Sequence, residues 1–282
     1  MQKFHRKITV TAADAPVASD CLSVHTGLSK GRVKDAMAKG AVTLRKKVGG
    51  ARRRLRRATA ALVPGDVLEL YYDEELLKRE PPAVRCVDDQ GRYSVWYKPA
   101  GLMAQGTEYG DHCSLPRQVE IYFRPERAVF PVHRLDREAA GLMLVAHDKQ
   151  AAARLSELFS GNQISKHYRV RVRGEFAGKT GRIDLPLDGK PAVSFYSVSD
   201  YDVAAAVTTL EVNIETGRLH QIRRHFELIG HPVLGDPHYG AGNKNTEGLQ
   251  LVAAGLRFRC PFTGQARAYA LDAVEDGSGV PK

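Results

Sequence analysis

The residues best placed to do chemistry lie in one short stretch, residues 131–146, which reads PVHRLDREAAGLMLVA. Asp136 lies between Arg134 and Arg137, and the uncharged run Leu142–Ala146 has the composition of a buried strand. A nearby positive charge favours the charged form of a carboxylate, so we expect Asp136 to be ionised at neutral pH. Taken alone, the pattern indicates a structural salt bridge, because paired acids are far commoner than catalytic ones. The alternative is an anionic nucleophile.

Two residues elsewhere could complete such a site. Tyr168 begins an alternating strand, and if that strand pairs with the one holding Leu142–Ala146, the tyrosine ring could lie over a base near Asp136. Arg223 falls early in a helix predicted after Gly217 and is a candidate buried partner for the carboxylate. Each residue alone has a simpler interpretation, Tyr168 as a core aromatic and Arg223 as a surface cation, since most such residues do no chemistry.

Other kinds of reaction centre are less well supported. The chain from residue 133 onward holds seven histidines, but none has the His-Glu-x-x-His spacing, and the four cysteines form no Cys-x-x-Cys pair. The Gly-x4-Gly-Lys-Ser/Thr pattern of a phosphate-binding loop is also missing from the sequence. We therefore expect no metal and no cofactor, and we keep a metal-dependent hydrolase only as a rival hypothesis.

The elements around these residues carry an uneven charge. The formal net charge is +10, yet residues 1–80 contain 17 Lys and Arg against 9 Asp and Glu, a net of +8. Much of this excess lies in the tracts Arg45–Lys47 and Arg52–Arg57. A basic balance of this kind favours a polyanionic partner, most simply nucleic acid. The alternative is that the arginine tract is only a solvated loop.

The basic region has a pattern of small elements that could fix its cations in place. The sequence predicts a helix from Ser29 to Lys39, with Ser29 as N-cap, then a strand, the basic tract, and a second strand after a Pro-Gly turn. This order resembles the small S-four-type RNA-binding domain, named after a ribosomal small-subunit protein. We expect a phosphate-tracking surface that includes Arg32, Lys39, Arg52 and Arg53.

Consecutive prolines divide the chain. Residues 77–84, with Pro81 and Pro82, read as a linker, which predicts domains at 1–80 and 81–282. In the second domain, predicted strands outnumber helices and several adjacent strands look hairpin-connected. The predicted fold is therefore α+β, with a mixed, largely antiparallel sheet and flanking helices, preceded by a small α/β RNA-binding domain.

Four motifs, spread over residues 84–272, resemble the RluA-type pseudouridine synthase family. They are Tyr97–Leu102 (YKPAGL), His133–Ala146 (HRLDREAAGLMLVA), Lys166–Tyr168 (KHY) and Gly217–Arg223 (GRLHQIR), the last continuing through Gly230–Asp236 (GHPVLGD) to Tyr239-Gly240. Two positions depart from the family pattern. Ala139-Ala140 stand where a hydroxyl-bearing pair is usual, and Val252 stands where a histidine is usual.

The resemblance implies isomerisation of a uridine within RNA, without metal or cofactor. The base would be detached from its ribose, turned, and rejoined through carbon 5. Asp136 would be the nucleophile, although attack on the sugar and attack on the base both remain open. Tyr168 would stack on the flipped base and assist proton transfer, Arg223 would pair with Asp136, and Arg134 would occupy the space that the uridine leaves.

We therefore expect a monomeric, cytoplasmic enzyme acting on structured ribosomal or transfer RNA. The amino terminus lacks the apolar core of a signal peptide, and no run approaches the length of a membrane span. The competing hypothesis is a non-catalytic RNA-binding or RNA-chaperone protein that retains the fold.

Overall fold

The computed structural model describes residues 2–47, 50–243, 245 and 247–272. These residues form two compact units. The first contains the described residues up to Pro82 together with Gln105–Tyr122, and the second contains Ala83–Ala104 and the described residues from Phe123 onward. The predicted division at 80/81 differs in one respect, because Gln105–Tyr122 was expected in the second domain.

The described part of the chain contains fourteen strands and six helices. In chain order they are β1 (Lys3–Thr9), α1 (Ala18–Thr26), α2 (Lys30–Ala38), β2 (Val42–Arg45), β3 (Arg53–Arg54), β4 (Val67–Asp73), α3 (Glu74–Lys78), β5 (Arg85–Asp89), β6 (Tyr93–Lys98), α4 (Leu115–Tyr122), β7 (Phe130–Pro131), β8 (Ala140–Ala146), α5 (Lys149–Ser160), β9 (Ser165–Arg173), β10 (Thr180–Asp184), β11 (Val193–Asp202), β12 (Val207–Ile214), α6 (Gln221–Leu228), β13 (Leu251–Arg259) and β14 (Ala266–Ala270).

The first unit contains a four-stranded antiparallel sheet in the order β1-β4-β2-β3, and its core includes residues of α1 and α2. Ser29 caps α2 as predicted, because its side chain accepts a hydrogen bond from the backbone N–H of Arg32. The predicted linker was placed too early. Leu77 and Lys78 lie in α3, whose first turn is capped by the side chain of Asp73.

Ion pairs explain why Gln105–Tyr122 belongs to the first unit. Arg54 and Arg56 of the basic tract both reach Asp111, at 3.0 and 2.5 Å, and Arg52 pairs with Glu108. Alternate members of the arginine tract are thus bound to carboxylates inside the unit. The pattern of consecutive arginines gave no sign of this, because the partner acids lie more than fifty residues away.

The second unit contains a ten-stranded mixed sheet. Eight strands follow the order β10-β11-β12-β9-β13-β8-β6-β5, while β14 pairs with β13 and β7 with β8. Only β13 and β8 pair in parallel among these described strands, so the predicted α+β class with a largely antiparallel sheet is confirmed. Every residue of β8 is buried, which agrees with its uncharged sequence.

Two apolar clusters anchor helices to this sheet. One joins α5 to β8 and β13 through residues such as Leu144 and Leu155, and the other joins α6 to β9 and β12 through residues such as Phe226 and Val170. Asp148 caps α5, because its side chain accepts a hydrogen bond from the backbone N–H of Ala151. Among the described residues, no helix is both long and apolar enough to cross a membrane.

The order of the strands corrects one prediction. Tyr168 lies on β9, which pairs with β12 and β13 and does not pair with β8. The last long strand, β13, separates β9 from β8, and the insertion of so distant a segment cannot be read from local periodicity. At Gly141 the backbone of β13 comes very close, since a Cβ there would lie 2.4 Å from both the N and the O of Ala253.

Replacing Gly141 by alanine tests this close approach. Its φ of +127° is strained for any residue with a side chain, and the added Cβ would collide with backbone atoms. We expect the free energy of unfolding to fall by about 3 kcal/mol, from backbone strain and overpacking together, as measured by urea denaturation.

Gly91→Ala is the matched control. Gly91 also has a positive φ, +72°, but nothing lies within 4 Å of the position that an added Cβ would take. This variant should lose about 1 kcal/mol. Equal losses in the two variants would show that the contact between β8 and β13 is not tight.

Candidate active site

A cavity of about 270 Å³ in the second unit brings together four separate parts of the chain. They are the loop before β8, strand β9, the segment from the end of β12 to the first turn of α6, and the start of β13. The lining residues are Arg134, Leu135, Asp136, Ala139, Tyr168, Ile214, Leu251 and Gly217–Arg223. All three predicted catalytic residues, with Arg134, therefore line one cavity.

The predicted pairing of Asp136 with Arg223 is present. Nη1 of Arg223 donates a hydrogen bond to Oδ2 of Asp136 at 2.9 Å. The arginine side chain is fully buried, whereas that of Asp136 keeps 16% of its surface exposed. Oδ2 is thus engaged by the protein, and Asp136 retains access to the cavity.

A second carboxylate, not identified from the sequence, holds the other edge of the guanidinium. Nε and Nη2 of Arg223 donate to the two oxygens of Asp236 at 2.7 Å each, in bidentate geometry. The ring of Tyr239 lies 5.2 Å from the guanidinium carbon. Burial opposes the charge of Arg223, but the hydrogen bonds that it donates to Asp236 and Asp136 outweigh this effect and raise the pKa of the arginine.

Asp236 is itself fixed by the loop that follows α6. Burial disfavours its charge, but Arg223 and the backbone N–H groups of His238 and Tyr239 donate to it, and together they lower its pKa. The only sequence signal for Asp236 was its place in the last motif. Its thirteen-residue separation from Arg223 follows no helical or strand period.

Buried polar groups hold the loop that carries Asp136. Nζ of Lys98, at the end of β6, donates to the backbone oxygens of Leu102 at 2.8 Å and Arg137 at 3.3 Å. Burial lowers the pKa of Lys98 to about 7, against the opposing effect of Asp136 and Glu138. One lysine thereby ties the motif at residues 97–102 to the loop of Asp136.

His133 fixes the start of the same loop. Its Nε2 accepts a hydrogen bond from the N–H of Leu144 at 2.9 Å, and its ring stacks on Phe159 at a centroid distance of 4.2 Å. Burial lowers its pKa to about 3, which keeps the ring neutral and able to accept. Of the residues in this motif, His133 therefore has a structural role.

Tyr168 lies at the wall of the cavity, on the face of β9 that also carries Val170 and Val172 of the core. Burial, and to a lesser degree the charge of Asp136, raises the pKa of its phenol. Tyr168 is therefore a neutral, largely apolar surface beside the carboxylate. Tyr168 thus lines the cavity beside Asp136, although the strand next to β9 on this side is β13 and not β8.

His220 is a cavity residue that the sequence did not single out. It has a left-handed backbone, with φ 51° and ψ 32°, immediately before α6. Its Nε2 lies 3.7 Å from Oδ1 of Asp136, and its Nδ1 lies 3.0 Å from the hydroxyl oxygen of Tyr239. Burial lowers its pKa, which favours the neutral ring. Its position directly after Leu219 in the last motif was the available signal.

The two departures from the family pattern leave the site intact. Ala139 lines the cavity, and its backbone N–H donates to the backbone oxygen of Asp136 at 3.2 Å. Val252 lies on β13, opposite Ala140 in the parallel pairing. Neither position supplies a charged group to the cavity.

Comparison with known proteins agrees with this geometry. The family model described as RNA pseudouridylate synthase matches residues 92–228. The dual-specificity RNA pseudouridine synthase RluA of Vibrio vulnificus is 35% identical over 208 residues, which cover 66% of this chain and 82% of that protein. The chain belongs to the RluA-type family of RNA pseudouridine synthases. The enzymes of this family are isomerases that act on RNA.

Other relatives match over a smaller share of their length. An uncharacterised RNA pseudouridine synthase of Aquifex aeolicus is 35% identical over 172 residues, and the chain spans about half of it, 54%. The solved structure of human RNA pseudouridylate synthase domain containing 1 has a TM-score of 0.59 at 22% identity, over 69% of this chain and 86% of that one. At that identity the likeness shows the shared fold.

Four residues of the first unit are predicted to contact RNA. They differ in whether their side chains are already bound to other residues of the protein. Arg32 lies 3.7 Å from Glu74, Lys39 is bound to Asp35 and to the backbone oxygen of Leu77, and Arg52 pairs with Glu108. The backbone of Arg53 pairs with Leu44 of β2, but its side chain is exposed and forms no hydrogen bond or ion pair with any residue that the structure describes. RNA contact by these four residues stays a prediction.

Among the described residues, one group of side chains lies close enough together to hold a metal ion. It consists of Asp14, Cys21 and His25 in the first unit. Nε2 of His25 already hydrogen bonds Oδ1 of Asp14 at 2.6 Å, and the backbone N–H of Thr11 donates to Oδ2. Those hydrogen bonds lower the pKa of Asp14 to about 2. The Asp14–His25 pair thus has a structural explanation, because it joins the loop between β1 and α1 to the last turn of α1.

Asp236→Asn tests the second carboxylate in this pseudouridine synthase. The change removes the negative charge that balances the fully buried guanidinium of Arg223. It also replaces one of the two Asp236 oxygens that accept hydrogen bonds from Arg223. Breaking buried pairs costs about 3–5 kcal/mol, so we expect a loss of about 3 kcal/mol in urea denaturation and slower isomerisation. Asp188→Asn, which breaks the exposed pair with Arg224, should cost less than about 1 kcal/mol. Similar losses would contradict the role given to Asp236.

Proposed function

We propose that the protein converts specific uridines of structured ribosomal or transfer RNA to pseudouridine, with Asp136 as nucleophile. The observation that carries this proposal is that the two oxygens of Asp136 have different surroundings. Oδ2 is bound by the fully buried Arg223, whereas the carboxylate as a whole lines an open cavity. An anionic nucleophile with a fixed orientation is what the isomerisation requires.

The cavity geometry supports base flipping. The glycosidic bond of a uridine stacked in a helix is out of reach of a carboxylate lodged in a cavity, so the nucleotide has to leave the stack. Tyr168 offers a neutral aromatic surface at the cavity wall, and base–aromatic stacking stabilises a bound base by about 1–3 kcal/mol. Such stacking holds a base without demanding a particular neighbouring sequence.

Arg134 is the proposed replacement for the flipped base. Its side chain is exposed at the cavity, and it forms no hydrogen bond or ion pair within the described chain. A guanidinium plane can stack between bases in place of the missing uridine. Arg223, in contrast, has no surface left for RNA.

We propose that the first unit is an S-four-type domain that docks RNA through its unpaired cations. The exposed members of the tract, including Arg45 and Arg53, remain available to phosphates. Binding by such cations is independent of sequence and sensitive to salt. The unit would then supply affinity, while the cavity of the second unit supplies the choice of uridine.

Asp136→Asn tests the nucleophile. We expect no pseudouridine above background and an RNA affinity within about threefold of wild type, because Asn keeps the size of Asp and RNA binding depends on other residues. Pseudouridine is measured by site-resolved mapping of cellular RNA from a deletion strain supplied with each variant.

Asp89→Asn, which alters a carboxylate paired with Arg127, is the control and should restore modification. An active Asp136→Asn variant would refute the nucleophile. A wild-type protein that binds RNA but forms no pseudouridine would favour the RNA-chaperone hypothesis.

Replacing Arg45 and Arg53 by alanine tests the docking surface. Each lost phosphate contact should reduce the slope of log K against log salt by about 0.9, so the double variant should lose nearly 2 in slope. Fluorescence anisotropy with a structured RNA measures it across a salt series. Lys78→Ala, which removes a cation outside the tract, should leave the slope unchanged. An unaltered slope in the double variant would show that the tract is a solvated loop.

A further inference from the structure

The imidazole of His220 borders the oxygen of Asp136 that is free to react. Arg223 occupies Oδ2, so Oδ1 is the oxygen that can approach a substrate atom. Nε2 of His220 lies 3.7 Å from that Oδ1. Asp136 and His220 both line the cavity, so both groups border a substrate bound there.

The distance between these atoms indicates which tautomer His220 adopts. A ring N–H or an imidazolium facing a carboxylate would be drawn to hydrogen-bond distance, below about 3.2 Å. At 3.7 Å, Nε2 and Oδ1 are not hydrogen bonded to each other. Nδ1 lies 3.0 Å from the hydroxyl oxygen of Tyr239, and in the tautomer that carries its hydrogen on Nδ1 the lone pair of Nε2 faces the cavity.

Isomerisation needs a group that moves one proton. The N1–C1′ bond breaks and the C5–C1′ bond forms. The C5–H bond then breaks, its electron pair returns to the uracil ring, and a proton is added at N1, so no proton is gained or lost overall. The group that accepts the proton from C5 has to be neutral or anionic and has to lie next to the reacting atoms.

Few of the described cavity residues meet that requirement. Arg134, Arg218 and Arg223 are cations and cannot accept a proton. The buried phenol of Tyr168 holds its own proton and is a poor base. Asp136 already has the proposed role of nucleophile.

We propose that Nε2 of His220 accepts the proton from C5 and that this proton is passed on to N1, directly or through solvent. This proposal rests on the pseudouridine synthase function proposed above. Tyr239 is a positioning residue in it, because its hydroxyl oxygen fixes the tautomer of His220 while its ring covers Arg223.

His220→Asn is the decisive variant, since asparagine tolerates the left-handed backbone at this position. Single-turnover conversion is compared for RNA carrying uridine and RNA carrying uridine deuterated at C5. We expect conversion to slow by about 10²–10⁴-fold, with a primary isotope effect larger than in wild type, because proton removal becomes rate-limiting. RNA affinity and the thermal unfolding midpoint should stay at wild-type values.

Two further variants sharpen the test. His231→Asn changes a histidine that stacks on Phe176 outside the cavity, and it should convert RNA at the wild-type rate. Tyr239→Phe keeps the ring over Arg223 but removes the acceptor for Nδ1, and it should slow conversion by about tenfold and raise the isotope effect.

Specific results would overturn the proposal. If His220→Asn slows conversion without an increased isotope effect, or leaves the rate unchanged, His220 is not the base. An isotope effect that increases in Tyr168→Phe instead would assign the proton to the phenol. Wild-type protein that forms no pseudouridine at all would refute the proposed function itself, which is a different outcome from a slow His220 variant.

Discussion

A buried guanidinium between two carboxylates is the interaction on which the site depends. Arg223 has no exposed surface, so its charge has to be balanced inside the protein, and Asp236 does this with two hydrogen bonds. That leaves one N–H edge to hold Asp136. Because Asp236 already satisfies the charge of Arg223, the pair with Asp136 orients the reactive carboxylate without having to neutralise a buried charge alone. Tyr239 completes the enclosure by covering the guanidinium face.

The backbone around Asp136 is fixed by a separate set of contacts. The amine of Lys98 gathers backbone oxygens from two motifs, and the neutral ring of His133 accepts from β8. Charge pairing therefore sets the orientation of the side chain, while buried hydrogen bonds set the path of the loop. Changes in either set would move the same oxygen atom, although they act through different forces.

Local sequence patterns predicted the parts of this molecule that obey a local rule. The buried strand after Gly141, the cap at Ser29 and the pairing of Asp136 with Arg223 were all predicted, the last from the order of the motifs. Asp236 and His220 were missed because their roles depend on a turn after α6 and on a left-handed residue before it. The strand next to Tyr168 was wrong because β13 comes from a segment far further along the chain.

The position of β13 affects the order in which the parts of the cavity can assemble. Asp136 precedes β8 and Tyr168 lies on β9, but in the sheet these neighbours in sequence are held apart by Leu251–Arg259. The two halves of the cavity therefore take their final spacing only after that later segment has been synthesised and inserted. A nascent chain that stops before residue 251 contains every proposed catalytic residue but lacks β13, the strand that separates β8 from β9. We therefore expect the proposed nucleophile and the proposed stacking residue to reach their final spacing only after β13 has been translated.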